Sequence, residues 1–239
     1  MNITPLPYFL LLGSWAAFAV AESPAETDTK TVDPLIEVAH TIERRCLEAY
    51  PPEILTRMTG GASEIPEAVQ ADPKQQQQFL NQELDRDKGL FYPIELEVMI
   101  PALQRTLEPG DRFLDLGSGD GRVLFFANRL GAHATGIEYD PDMVKISHKV
   151  TDALGDLIDR ERLDIIQDDF FKHSWSGYDL IFYFDMSSFE QDRVRDKLRR
   201  ELSPGALLMV GHPQAPFPGL EQVEDIGPMR LYRRADARP

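Results

Sequence analysis

The residues of this sequence best placed to do chemistry are two acids and a cluster of glycines. They begin in the stretch Arg112-Phe113-Leu114-Asp115-Leu116-Gly117-Ser118-Gly119-Asp120-Gly121-Arg122-Val123. Gly117, Gly119 and Gly121 make a turn with little side-chain bulk, where the backbone can take positive φ and a ligand can approach the main chain. A helix that starts just after such a turn aims free N–H groups at whatever is bound. Asp115 stands at the start of the turn, where a dinucleotide site keeps room for a pyrophosphate and avoids negative charge. Glu138 closes a second apolar run, Ala134-Thr135-Gly136-Ile137-Glu138, roughly 20 residues on, where a carboxylate meets ribose hydroxyls. Acids in both places suit a cationic nucleoside without phosphates. S-adenosylmethionine, with a sulfonium, an ammonium and a free ribose, has that chemistry.

On these residues the sequence resembles the class I, seven-strand S-adenosylmethionine-dependent methyltransferases. Asp115-Leu-Gly-Ser-Gly-Asp-Gly matches their first motif and Gly136-Ile-Glu138 their second acidic loop. The resemblance spans about residues 90 to 234. It narrows with Tyr92-Pro93, the helical run to Leu107, and Gly-Ile-Glu-Tyr-Asp-Pro. Together these look like the small protein-lysine methyltransferases of the archaeal and mitochondrial type, and more distantly the Dot1-type enzymes. The resemblance implies a cofactor site of Tyr92, Asp115, Gly117, Gly119, Gly121, Glu138, Asp169 and Phe170. Asp169 would meet the adenine amino group and Phe170 would pack beside the base, with Asp168 as the alternative acid.

The elements that must position these residues alternate in type. Strands are predicted at 112–116, 133–138, 163–167, 178–184 and 205–211, with helices near 121–130, 141–154 and 189–201. Such alternation implies a doubly wound, mostly parallel Rossmann-like sheet. Two further strands, Glu221–Ile226 and Met229–Arg234, are joined by Gly227-Pro228 and predict an antiparallel C-terminal pair, giving about seven strands in all. Asp140 before Pro141 predicts a helix cap. The run from Gly89 to Leu107 reads as a helix that Pro101 kinks or divides.

The fourth strand ends Ile181-Phe182-Tyr183-Phe184-Asp185-Met186, where this fold places the group that meets the substrate. Asp185 could take a proton or hold an amine. Tyr183 and Phe184 could form an aromatic wall around a cation. The competing reading is structural, since Ser187-Ser-Phe-Glu190 is a capping box for the next helix. The methyl acceptor is expected to be a protein lysine or a small-molecule amine. A non-catalytic exported module that keeps the nucleoside pocket is the alternative from a different class.

The net charge of −15 argues against nonspecific binding to nucleic acid and leaves room for basic partners. A single cysteine, Cys46, excludes an intramolecular disulfide, and the five histidines lack metal-ligand spacing, so no metal is implied.

Residues 1–21 read as a signal peptide, with an apolar run from Leu6 to Val20 and Ala19-Val20-Ala21 as the cleavage pattern. The run is too short for a stable membrane span of about 20 residues, and no Lys or Arg precedes it. Export to the periplasm or medium is the expectation, with a cytoplasmic location as the alternative. Residues 22–32 read as a linker, 33–89 as an N-terminal helical extension and 90–239 as the methyltransferase domain. Within the extension Asp33-Pro34 opens a helix, and Leu35, Val38, Ala39, Ile42, Cys46 and Leu47 predict its apolar face.

Overall fold

The computed structural model describes residues 33–52, 54, 93–184, 191–211 and 216–234. The expected signal peptide and linker, Tyr92, Asp185 and the capping box from Ser187 lie outside the described residues. The chain divides into two compact units. One comprises Met1–Val32 with Pro51–Arg86; the other comprises Asp33–Tyr50 with Asp87–Pro239 and contains every element discussed below.

Those elements are α1 (Pro34–Ala49), α2 (Leu96–Thr106), β1 (Arg112–Leu116), α3 (Arg122–Arg129), β2 (His133–Glu138) and α4 (Pro141–Leu154). They continue with β3 (Leu163–Gln167), β4 (Leu180–Phe184), α5 (Gln191–Glu201), β5 (Leu207–Gly211), β6 (Leu220–Ile226) and β7 (Met229–Arg234). The strands form one seven-stranded sheet in the order β3-β2-β1-β4-β5-β7-β6. β3, β2, β1, β4 and β5 are parallel, and β7 runs antiparallel to both β5 and β6. β4 and β5 start two residues later than the sequence pattern predicts, because Tyr178 and Asp179 still belong to the approach. There the Asp179 carboxylate accepts from Arg112 N–H at 2.8 Å and fixes the start of β1.

β1 is an interior strand between β2 and β4, with helices on both faces of the sheet, and four of its five residues are buried, Asp115 among them. An interior parallel strand is apolar on both sides for this reason, and it takes Asp115 out of water. One apolar layer contains Leu114, Leu116, Ile181, Tyr183, Leu208 and Val210 of the sheet, with Val194 and Leu198 of α5.

α1 begins as expected, the Asp33 carboxylate accepting from Leu35 N–H at 2.9 Å ahead of Pro34. Its buried stripe is narrower than predicted. Ala39, Ile42 and Cys46 are buried, whereas Leu47 is 52% exposed. Leu47 follows Cys46 by one residue, a rotation of about 100° that carries it off the packed side. α1 packs across α2, α3 and α4, within the same compact unit as the sheet. The Glu43 carboxylate also accepts from Leu96 N–H at 2.6 Å, which satisfies one of the orphan donors at the start of α2. α2 continues through Pro101 as one helix rather than being divided by it.

Ile42 is fully buried where α1 meets the domain. Ile42→Ala should therefore lower global stability by about 2–5 kcal/mol in denaturant unfolding, the cost of a core truncation. A loss under about 1 kcal/mol would mean that α1 is not part of the cooperative core.

Candidate active site

The carboxyl ends of β1, β2 and β3 converge on the glycine turn. Register pairs Leu116 with Ile137 and Glu138 with Gln167, so the three strand ends sit side by side. Asp168 N–H donates to the Glu138 carbonyl at 3.1 Å and holds the loop after β3 against the end of β2.

The turn needs its glycines for different reasons. Gly117 has φ +81° and open space where a side chain would point. Gly121 has φ +84°, and a Cβ there would lie 2.7 Å from the Phe125 ring, so only glycine lets α3 start this close. Gly119, at φ 55°, donates its N–H to the Glu138 carboxylate at 2.7 Å. The other oxygen of Glu138 accepts from Asp140 N–H at 2.7 Å, so this acid braces the turn from the neighbouring strand. Ser147 of α4 donates its hydroxyl to the Gly119 carbonyl at 2.9 Å. Ser118 is seated under Gly136, where a Cβ would come within 2.7 Å of the serine oxygen. Asp140 caps α4 as expected, accepting from Asp142 N–H at 2.8 Å.

The start of α3 departs from expectation. The Arg122 N–H is not offered to a ligand, because the Asp120 carboxylate accepts it at 3.1 Å. Asp120 also takes the Arg122 guanidinium, at 2.8 Å from one terminal nitrogen, and both side chains are buried. The Tyr50 hydroxyl, at the C-terminal end of α1, donates to Asp120 and accepts from Arg122 at 2.8 Å. Burial alone would raise the Asp120 pKa, but the guanidinium outweighs it and holds the carboxyl below its ordinary range. Sequence reasoning missed this network. Asp120 two residues ahead of Arg122 is a local capping signal, but nothing local brings in Tyr50.

The remaining expected site residues are placed as follows. The Asp169 carboxylate caps the short turn Phe170–Lys172, accepting from Phe171 N–H at 2.9 Å. Asp168 is paired with Lys172 at 2.7 Å and with His173, and the lysine hydrogen bond leads the effects that pull its pKa down to about 2. Phe170 is half-buried, its ring 4.6 Å from Phe171 and its carbonyl accepting from Trp175 Nε1 at 2.9 Å. Tyr183, expected in an aromatic wall, is buried in the apolar layer under α5, since its place on β4 pairs it with Leu116. Phe184 is half-buried, with its ring packed over Gly211. An exposed aromatic does flank the site, because Tyr139, next to Glu138, is 52% exposed.

Asp115 is the electrostatic anomaly. Its carboxylate is 2% exposed, and no group among the described residues hydrogen-bonds to it. Desolvation first, then the nearby charges of Glu138 and Asp120, push its pKa well above the ordinary carboxylate value. Glu138 is also raised by burial, against the partial relief of its backbone donors. A raised acid pKa means that the fold binds this proton more tightly than the unfolded chain does. The stability linked to Asp115 is therefore fully present below the ordinary range and is lost as pH rises through the raised value. Asp115→Asn removes that loss. Its melting temperature at pH 7 should exceed that of the wild type, by about 2–4 °C for each kcal/mol recovered. The gap should close toward pH 4, and an equal or lower melting temperature at pH 7 would refute the assignment.

Comparison with known proteins bears on what this arrangement is. The family model of the ANTKMT methyltransferase domain matches residues 115–214, from the buried acid of β1 past the end of β5. A segment of 42 residues is 48% identical to the ribosomal protein L11 methyltransferase of Thermus thermophilus, covering 18% of this chain and 16% of that protein. The matched segment is thus a small part of the relative's length. Among solved structures, an RNA methyltransferase from Salinibacter ruber in complex with S-adenosyl-L-homocysteine is 29% identical. The match covers 62% of this chain and 97% of that one, with a TM-score of 0.49. A MtNAS variant in complex with S-adenosylmethionine is 13% identical over 84% of this chain and 75% of its own, with a TM-score of 0.51, a likeness of fold. The sheet order, the antiparallel β7 and the match beginning at Asp115 agree: this chain carries a class I, seven-strand S-adenosylmethionine-dependent methyltransferase domain.

Proposed function

We propose that the protein transfers a methyl group from S-adenosylmethionine to an amine of a protein, a lysine side chain. The observation that carries the cofactor half is Asp115, a buried carboxylate without a hydrogen-bond partner among the described residues, beside a glycine turn with open space at Gly117. The ammonium of the cofactor would relieve such a group when it is ionised. Glu138 would hold the ribose hydroxyls, and its fixed backbone donors pre-set its direction. Tyr139 and Phe170 would flank the base, with Asp169 toward the adenine amino group.

The bound cofactor supplies a methyl carbon already activated by the sulfonium. The chain has then to align the acceptor, exclude water and remove a proton from it, and such alignment is worth several kcal/mol. Lysine, with an ordinary pKa of about 10.4, reacts only after losing its proton. Asp185 takes or positions that proton in this proposal, although it lies outside the described residues. The acceptor class is supported by the resemblance to protein-lysine methyltransferases and by the ANTKMT match. A chain of net charge −15 also favours encounter with lysine-rich segments. Export through residues 1–21 is part of the same proposal.

Incubation of the full chain with methyl-labelled cofactor and a cell extract should label lysine in protein. Label confined to small molecules would overturn the acceptor. Asp185→Asn should lower kcat by about 10² and leave S-adenosylhomocysteine affinity nearly unchanged, while Asp115→Asn weakens that affinity by about tenfold or more. The N-terminus of protein from the native host should be Glu22; Met1 would overturn export.

A further inference from the structure

We infer that Tyr50 is a positioning residue for the cofactor-binding turn, acting through Asp120. The inference rests on the proposed cofactor site and extends it to a helix outside the matched region.

The turn has positive φ at residues 117, 119 and 121, so its own backbone preferences hold it weakly. Fixed side chains restrain it from outside. Ser147 takes the Gly119 carbonyl and Glu138 takes the Gly119 N–H, leaving the Asp120 end to be fixed separately. Asp120 accepts from three groups, the Arg122 backbone N–H, the Arg122 guanidinium and the Tyr50 hydroxyl. Arg122 is itself steered, because one nitrogen donates to the Tyr50 oxygen at 2.8 Å and another to the Ile94 carbonyl at 3.3 Å. Cys46 of α1 also meets Asp120, but it is Tyr50, at the end of that helix, whose hydroxyl bridges both charges. Tyr50 and Asp120 are buried, where a hydroxyl fixes a charged partner more firmly than in water. Burial first, then the Asp120 charge, keeps the phenol protonated and donating. Loss of the hydroxyl leaves the ion pair intact but removes the group that bridges Asp120 and Arg122 from the end of α1, which loosens the position of the pair. The adjoining Gly119 N–H and the facing Glu138 carboxylate, which define the ribose side of the site, then lose their fixed relation.

Tyr50→Phe removes the hydroxyl and keeps the ring. Titration of the full chain with S-adenosylhomocysteine should show a Kd raised about tenfold. Steady-state kinetics should show a similar rise in KM for S-adenosylmethionine, with kcat at saturation within about twofold of wild type. The comparison variant is Asn128→Ala, at the far end of α3, where the amide clasps the Asp159 and Arg162 backbone at 2.8–3.0 Å. It should lower the melting temperature and leave Kd unchanged. A Tyr50→Phe Kd within twofold of a tightly binding wild type overturns the inference and leaves the cofactor site standing. An equal rise in Kd for Asn128→Ala also overturns it, since stability alone would then set affinity. A wild-type chain that does not bind S-adenosylhomocysteine overturns the cofactor site, and the inference with it.

Discussion

A carboxylate buried near the carboxyl end of β1, an interior strand of the sheet, is the constraint around which this domain is arranged. Asp115 is dehydrated by its position between two helical layers, and Glu138 and Asp120 add negative charge nearby. A fold that keeps such a group ionised gives up stability in the absence of a cation, since desolvation is not repaid by a hydrogen bond. In the proposed cofactor site the same group favours a cationic ligand. In the proposed site a phosphate would be repelled, and a ligand that combines a cation with ribose hydroxyls would relieve Asp115 while meeting Glu138. On that proposal the stability deficit and the affinity for the cofactor are two aspects of one electrostatic arrangement.

The turn beside Asp115 shows how flexible backbone becomes a rigid site. Glycine at 117 and 121 permits conformations that other residues resist, and at 121 it also admits the Phe125 ring. That freedom has an entropic cost, and the surrounding elements offset it with restraints from β2, α4 and α1. Each restraint reaches the turn from a different part of the chain: Glu138, Ser147 and Tyr50. The buried pair of Asp120 and Arg122 is better understood as a fixing device than as a source of net stability, because ion pairs of this kind roughly balance desolvation against attraction.

The first helix changes in meaning through this arrangement. Its apolar stripe of Ala39, Ile42 and Cys46 packs within the sheet domain, Glu43 caps α2, and Tyr50 reaches the turn. One helix thus contributes packing, capping and a polar bridge to the site. The matched family region begins only at residue 115, so these contributions lie outside it.

Much of this protein is legible in its sequence because the governing forces are local. The short apolar run that closes at Glu138 and the Asp-Pro starts of α1 and α4 are signals carried within a few residues. So is the glycine spacing after Asp115, and the corresponding elements form where the residues place them. The antiparallel C-terminal pair was readable too, since Gly227-Pro228 makes its turn. Only the tertiary structure decided the rest. Leu47 is exposed because packing selected a narrow stripe of α1, and Tyr183 is buried because β4 pairs it with Leu116 beneath α5. Asp169 caps a turn that exists only once β3 ends beside Glu138. Tyr50 reaches Asp120 across 70 residues of sequence. Such contacts depend on which faces meet in space, and no spacing along the chain encodes that.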